Sequence, residues 1–203
     1  MRLLSTCGLA AVLAACAGAN ANATLDAGFG MPDDDGGGRP GADASVNPAG
    51  ADAGAPADPT SAAWLKEHND VRAGAQPTPS PALPALTWSA QAASVASAWA
   101  ANCNWSHNKN RGNYGENISA ATYPQTPADV VASWAKEAAN YDYATNGCAG
   151  VCGHYTQIVW RNTTAVGCAI QKCTTGSPFS SGTWYFAVCD YSPPGNWNGE
   201  KPY

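Results

Sequence analysis

Gly153-His154-Tyr155-Thr156-Gln157-Ile158-Val159-Trp160-Arg161-Asn162-Thr163 is the stretch on which the fold turns. Its middle, Tyr155 to Trp160, is rich in β-branched and aromatic residues, which predicts a strand. Period-two alternation then puts His154, Thr156, Ile158 and Trp160 on one face. Val166 to Gln171 and Thr183 to Cys189 read as strands in the same way, each bounded by Gly, Pro, Ser or Asn. Upstream the period changes. Ser61 can cap a helix through about Gly74 with Trp64, His68 and Val71 on one face, and the Pro-rich run from Pro77 to Pro84 ends it. Ser89 can cap a second helix to about Asn102 that buries Val95 and Trp99. Thr126-Pro127-x-Asp129 starts a third, with a cap, Pro at the first helical position and an acid in the first turn. Its stripe is Val130, Trp134, Glu137 and Tyr141, and a carboxylate on an apolar stripe needs a reason. A short turn or helix is expected at Ala120 to Tyr123. Helices interspersed with a mostly antiparallel sheet make an α+β layered domain.

The sequence before this domain is of another kind. Arg2 precedes an apolar run, Leu3 to Ala15, too short to span a membrane as a helix, which reads as a signal peptide over residues 1–16. Leu13-Ala14-Ala15-Cys16 resembles a bacterial lipobox, which would make Cys16 a lipidated first residue; Ala19-Asn20-Ala21 resembles an ordinary cleavage site. The lipobox is favoured, because residues 17–60 are almost entirely Ala, Gly, Asp, Pro and Asn, a composition expected to stay disordered and to serve as a tether. Residues 61–203 are then one domain with one core. All eight Tyr and all Trp except Trp64 lie after residue 85. A net charge of −5 without a basic patch excludes nucleic acid as a partner. Membrane contact is expected only through the N-terminal lipid, in a secreted or envelope-bound protein.

The domain holds Cys103, Cys148, Cys152, Cys168, Cys173 and Cys189. An even count behind an export signal implies disulfides, and the spacings fit zinc knuckles poorly. Sequence leaves the pairing open.

Four ordered motifs carry a resemblance beyond this. Gly153 to Thr163 resembles the first signature of the CAP superfamily, and Cys189-Asp190-Tyr191-Ser192-Pro193-Pro194-Gly195-Asn196-Trp197 the second. His68-Asn69-Asp70-Val71-Arg72 is similar to its HNxxR element and Gly115-Glu116-Asn117-Ile118 to its GEN element. The resemblance runs from about Ala62 to Tyr203 and is strongest to plant pathogenesis-related protein 1. It implies a three-layer α-β-α sandwich with a central antiparallel sheet. It also implies the disulfides Cys103–Cys173, Cys148–Cys152 and Cys168–Cys189. Asp190, where Asn is usual, and Ala187, in place of a larger apolar residue, depart from the pattern and should tune packing.

The resemblance further implies a cleft lined by His107, Glu116, Glu137 and His154. Two imidazoles and two carboxylates can hold zinc or another divalent cation, with the carboxylates as ligands or as a base on bound water; Glu116 and Glu137 are the catalytic candidates. The bland reading of the same set is a hydrogen-bonded network that fixes the cleft. His68, Asn69, Arg72 and Asn117 are expected to be structural. No Gly-x-Ser-x-Gly, His-Glu-x-x-His or unpaired domain cysteine offers a nucleophile or zincin site. A binding module for a lipid-like ligand or a cell-surface partner is therefore favoured over a zinc-dependent hydrolase or a purely structural surface protein.

Overall fold

The computed structural model describes residues 24–26, 59–180 and 182–203. The expected signal peptide with Cys16, and residues 17–23 and 27–58 of the expected tether, lie outside them. Helix α1 spans Pro59–Ala73, β2 Thr87–Trp88, α2 Ala90–Ala100, β3 Gly115–Ala121 and α3 Pro127–Ala135, which runs into a 3₁₀ turn at Lys136–Asn140. Strands β4 (Tyr141–Asp142) and β5 (Gly147–Cys148) form a small ribbon, followed by α4 (Gly153–Ile158), β6 (Ala165–Cys173) and β7 (Trp184–Ser192). Strand β1 is Thr24–Asp26.

The main sheet has the order β1-β3-β7-β6-β2, antiparallel throughout except for the parallel β2–β6 pair. Alternation sends Ile118, Ala120, Phe186 and Val188 to one face, where they pack with Ala96 and Ala100 of α2. Val166, Cys168, Ala187, Cys189 and Tyr191 face the other way, against Trp64 of α1, Val130 and Trp134 of α3, and Ile158 of α4. These two cores are the expected α-β-α sandwich. The disulfides are Cys103–Cys173, Cys148–Cys152 and Cys168–Cys189, the last joining residues directly opposite each other in the β6–β7 register.

The local signals fared unevenly. Ser89 caps α2 by accepting from the Ala92 N–H at 3.1 Å. Thr126 and Asp129 form a complete capping box on α3. Helix α1 instead begins with Pro59, so Ser61 lies inside it and is buried. The buried face of α2 is Ala92, Ala96 and Ala100, whereas Val95 and Trp99 are only half-buried. Close approach explains this: a Cβ on Gly167 of β6 would sit 2.1 Å from the Ala93 nitrogen, so small residues must face the sheet. Ala120 to Tyr123 is no helix; β3 runs through Ala121.

The main correction concerns the opening stretch. Tyr155 to Trp160 is not a strand: Gly153–Ile158 is a helix, with His154 through Ile158 all buried. Its apolar and β-branched residues face core on every side, which is what a buried helix requires and what mimics a strand in sequence. A helix of six residues does not stand on its own propensity. Side chains from elsewhere hold both of its ends, as the site shows.

Candidate functional site

Glu137, in the 3₁₀ turn after α3, points its carboxylate at the start of α4. Oε2 accepts from the backbone N–H of His154 at 2.9 Å and of Tyr155 at 3.2 Å, and Oε1 meets His154 Nδ1 at 2.6 Å. A carboxylate on the first free amides of a helix satisfies orphan donors and suits the helix dipole. This is the reason for an acid on the α3 stripe. At the other end, the buried Arg72 donates through Nη1 to the carbonyls of Ile158 and Trp160, both at 2.8 Å, and through Nε to Pro84 at 2.9 Å. Burial lowers its pKa to about 10, still charged at neutral pH.

His107, in the loop after α2, makes the second imidazole–carboxylate pair. Its Nδ1 lies 2.7 Å from Glu116 Oε1, which also accepts from the Asn108 N–H at 2.9 Å. Glu116 is on β3 with a buried side chain, while His107 is partly open. In both pairs the carboxylate fixes Nδ1 as the donor, which places the lone pair of each neutral ring on Nε2. His154 Nε2 and Glu116 Oε2 are buried and have no hydrogen-bond partner. The His154 ring stacks on Trp134, with centroids 5.6 Å apart and planes 15° from parallel.

The expected four-residue set is thus two pairs. By alternation Glu116 faces the α2 side with Ile118, whereas Asn117 faces the α4 side, where its Nδ2 donates to the His154 carbonyl at 3.1 Å. No three of the four residues bring donor atoms mutually within 4.8 Å. Among the described residues the set that meets that test is His68, Cys168 and Cys189. Those sulfurs are bonded to each other, so no thiolate is available for a metal.

His68 serves as structure. Its Nδ1 donates to the Trp64 carbonyl at 2.8 Å, Tyr191 Oη donates to its Nε2 at 2.9 Å, and Asn117 Nδ2 donates to Tyr191 Oη at 3.1 Å. Burial lowers the His68 pKa to about 4, which keeps the ring neutral and this chain of donors consistent. Asn69 pins Leu86 through both backbone groups, at 2.7 and 3.2 Å. Gln157 accepts from the Gly195 N–H at 3.0 Å and leaves no room for a Cβ on Gly115, 2.1 Å from its Oε1.

One participant escaped sequence reasoning, which assigned Asp190 to packing. Asp190 is opposite Glu116 in the β3–β7 register, fully buried, and neither carboxylate oxygen has a hydrogen-bond partner. Burial, with the Glu116 charge adding and Arg111 opposing, pushes its carboxyl up to about 8. The signal was present: Asp190 continues the inward series Phe186, Val188. Beside Glu137 lies an open pocket of about 520 Å³, walled by Tyr123, Asp129, Ser133, Lys136, Asn140 and Val151.

The profile of the cysteine-rich secretory protein family, CAP, matches residues 65–191. The chain belongs to the CAP family. Pathogenesis-related protein 1A of Nicotiana tabacum is 42% identical over 147 residues, covering 69% of this chain and 79% of the tobacco protein. GLIPR1-like protein 1 of Mus musculus is 38% identical over 151 residues; the match takes in 70% of this chain but 62% of the mouse protein's length. In structure, the CAP domain is similar to venom allergen-like protein 4 of Schistosoma mansoni, with a TM-score of 0.60, 26% identity and coverage of 72% and 95% of the two chains. It is also similar to NaASP2 with Zn2+, at TM-score 0.55 and 23% identity over 71% of this chain and 84% of that one. The three disulfides of this CAP domain fit an oxidising compartment, in keeping with a family of secretory proteins.

Proposed function

We propose that this protein is an extracytoplasmic binding module, tethered through a lipidated Cys16, whose cleft holds a divalent cation of the zinc class beside a polar ligand from the cell surface. The observation that carries it is the pair of imidazole–carboxylate bonds, His107–Glu116 at 2.7 Å and His154–Glu137 at 2.6 Å. A carboxylate on Nδ1 leaves Nε2 for the metal and raises its basicity. Two nitrogen donors suit zinc, and the structural neighbour NaASP2, solved with Zn2+, supports the choice of ion. Such an ion would act here as a Lewis acid or polar anchor. His107 and His154 would hold it, and Glu116 and Glu137 would orient the two rings.

Binding is favoured over hydrolysis because the acids are already engaged. Glu137 uses one oxygen on His154 and the other on two backbone amides, so it has little capacity left as a base on water. Glu116 retains only a buried oxygen. The neighbouring pocket has Asp129, Lys136, Asn140 and Ser133 in its wall, which suits a peptide or glycan better than a lipid chain.

Zinc titration by calorimetry, with metal content by mass spectrometry, tests the reading. Wild type should bind one ion, and His107→Ala with His154→Ala should abolish binding; the buried His154 ring makes that variant less stable, so urea unfolding in chelator first establishes that it is folded, and His107→Ala alone, at the partly open ring, should bind far more weakly with stability near that of the parent. Unchanged metal content in the double variant refutes the site. Metal-dependent turnover of peptide or glycan libraries, lost in Glu116→Gln, assigns the cleft to a hydrolase instead.

A further inference from the structure

Strand β3 lies beside β7 on one side; its other edge, from Ser119 to Ala121, carries an antiparallel strand from far along the chain. Thr24 opposes Ala121, Leu25 opposes Ala120 and Asp26 opposes Ser119. Three observations make this pairing informative. Every residue of β3 is buried, unlike an open edge strand. Exposed edges invite pairing with other chains and are ordinarily covered. Leu25 is one of only four larger apolar residues between residues 17 and 60, with Phe29, Met31 and Val46, and it sits at the centre of the paired segment. The covered edge begins two residues beyond Asn117, the residue bonded to the His154 carbonyl, so the strand lies next to the cleft.

We infer that the β3 edge is a strand-acceptor site for the chain's own N-terminal segment, and that Thr24–Asp26 acts as a strap fixing the domain close to its anchor. The consequence for reach rests on the lipidated Cys16 proposed above; the docking does not. With β1 docked, residues 17–23 separate Cys16 from the domain, seven residues that span at most about 25 Å at roughly 3.6 Å each. With β1 released, residues 17–58 intervene, and 42 residues reach about 150 Å. The strap therefore changes the accessible range of the cleft about sixfold without altering the cleft itself. A three-residue pairing is weak enough to open locally while the domain stays folded.

Hydrogen exchange with mass spectrometry on the full chain tests this. Leu25→Pro removes the central N–H and restricts the backbone at a position that precedes the 61–203 domain in sequence, so the domain should fold normally. The expected result is exchange faster by about tenfold or more in Leu25→Pro for those amides of Ser119–Ala121 that point at β1, with those that point at β7, and the β6 and β7 amides, unchanged. Exchange within about twofold of the parent overturns the strap. Protection present at about 100 µM but lost at about 1 µM also overturns it, because the strand then comes from a second copy. Intact mass of the same samples reads the state of Cys16, so a failed anchor and a failed strap are separate results.

Discussion

Asp190→Asn should stabilise the protein and remove most of its loss of stability between pH 4 and pH 8. Asp190 is fully buried without a hydrogen-bond partner, opposite a second buried carboxylate. Its pKa moves from the ordinary 3.8 up to about 8. The native state therefore holds this proton across a window in which the unfolded chain has released it. More protons bound in the native state means that stability falls as pH rises. The contribution is intact below pH 3.8, declines through the window and is flat above about 8. A difference of 3.2 pH units between 3.8 and pH 7, at 1.36 kcal/mol each, costs about 4 kcal/mol at neutral pH.

Asn keeps the volume and cannot ionise, and its amide can donate to Glu116 Oε2, which has no partner now. Urea unfolding with disulfides intact and chelator present, at pH 4.5, 6, 7 and 8, is the assay. The gap between variant and parent should widen with pH, reaching about 4 kcal/mol by pH 7. For a domain of this size that is a gain of roughly 8–16 °C in Tm. A constant gap across the series refutes the buried-acid account, and so does a variant less stable than the parent at pH 7.

Tyr191→Phe should cost about 2–4 kcal/mol, because removing one hydroxyl leaves His68 Nε2 buried without its donor and one of the two Asn117 Nδ2 protons without its acceptor; a urea midpoint within error of the parent would contradict this. Replacing Cys168 and Cys189 together by Ala should cost about 3 kcal/mol by loop-closure entropy across a separation of 21 residues, and replacing Cys103 and Cys173 about 4 kcal/mol across 70. The Cys148–Cys152 bridge closes only 4 residues, so its removal should cost about 2 kcal/mol at most, an order checked by thermal unfolding of the three double variants.

Legibility in the sequence followed the range of the interactions. The Ser89 cap and the Thr126–Asp129 box rest on neighbours within a few residues, and β6 and β7 show in their local composition and bounding turns, so all were readable. The disulfide pairing and the four cleft residues were reachable only through resemblance, since composition and spacing left them open. Helix α4 was misread because both of its ends are held from outside, by Glu137 and by Arg72, and its buried surroundings erase any helical period. The buried face of α2 was misread because its width is set by Gly167, on a strand far along the chain. Asp190 shows its inward direction by alternation, but only the register reveals that it meets Glu116.

The motif elements, scattered along the chain, form a single hydrogen-bonded unit. From the Trp64 carbonyl the bonds run through His68, Tyr191 and Asn117 to the His154 carbonyl, while Arg72, one turn along α1 from His68, holds the far end of the same α4. Helix α1 therefore grips α4 at both ends without lining the cleft. Glu137 supplies the remaining constraint on His154, through its ring and its backbone nitrogen together. A ring held at Nδ1, at its own backbone N–H and carbonyl, and on its face by Trp134 has little freedom left. That rigidity is what preorganised ligation requires, and it separates the roles of the two imidazoles. On the function proposed above, His154 would be the fixed donor, whereas the partly open His107, on a loop, would be the one to close on an ion or a ligand.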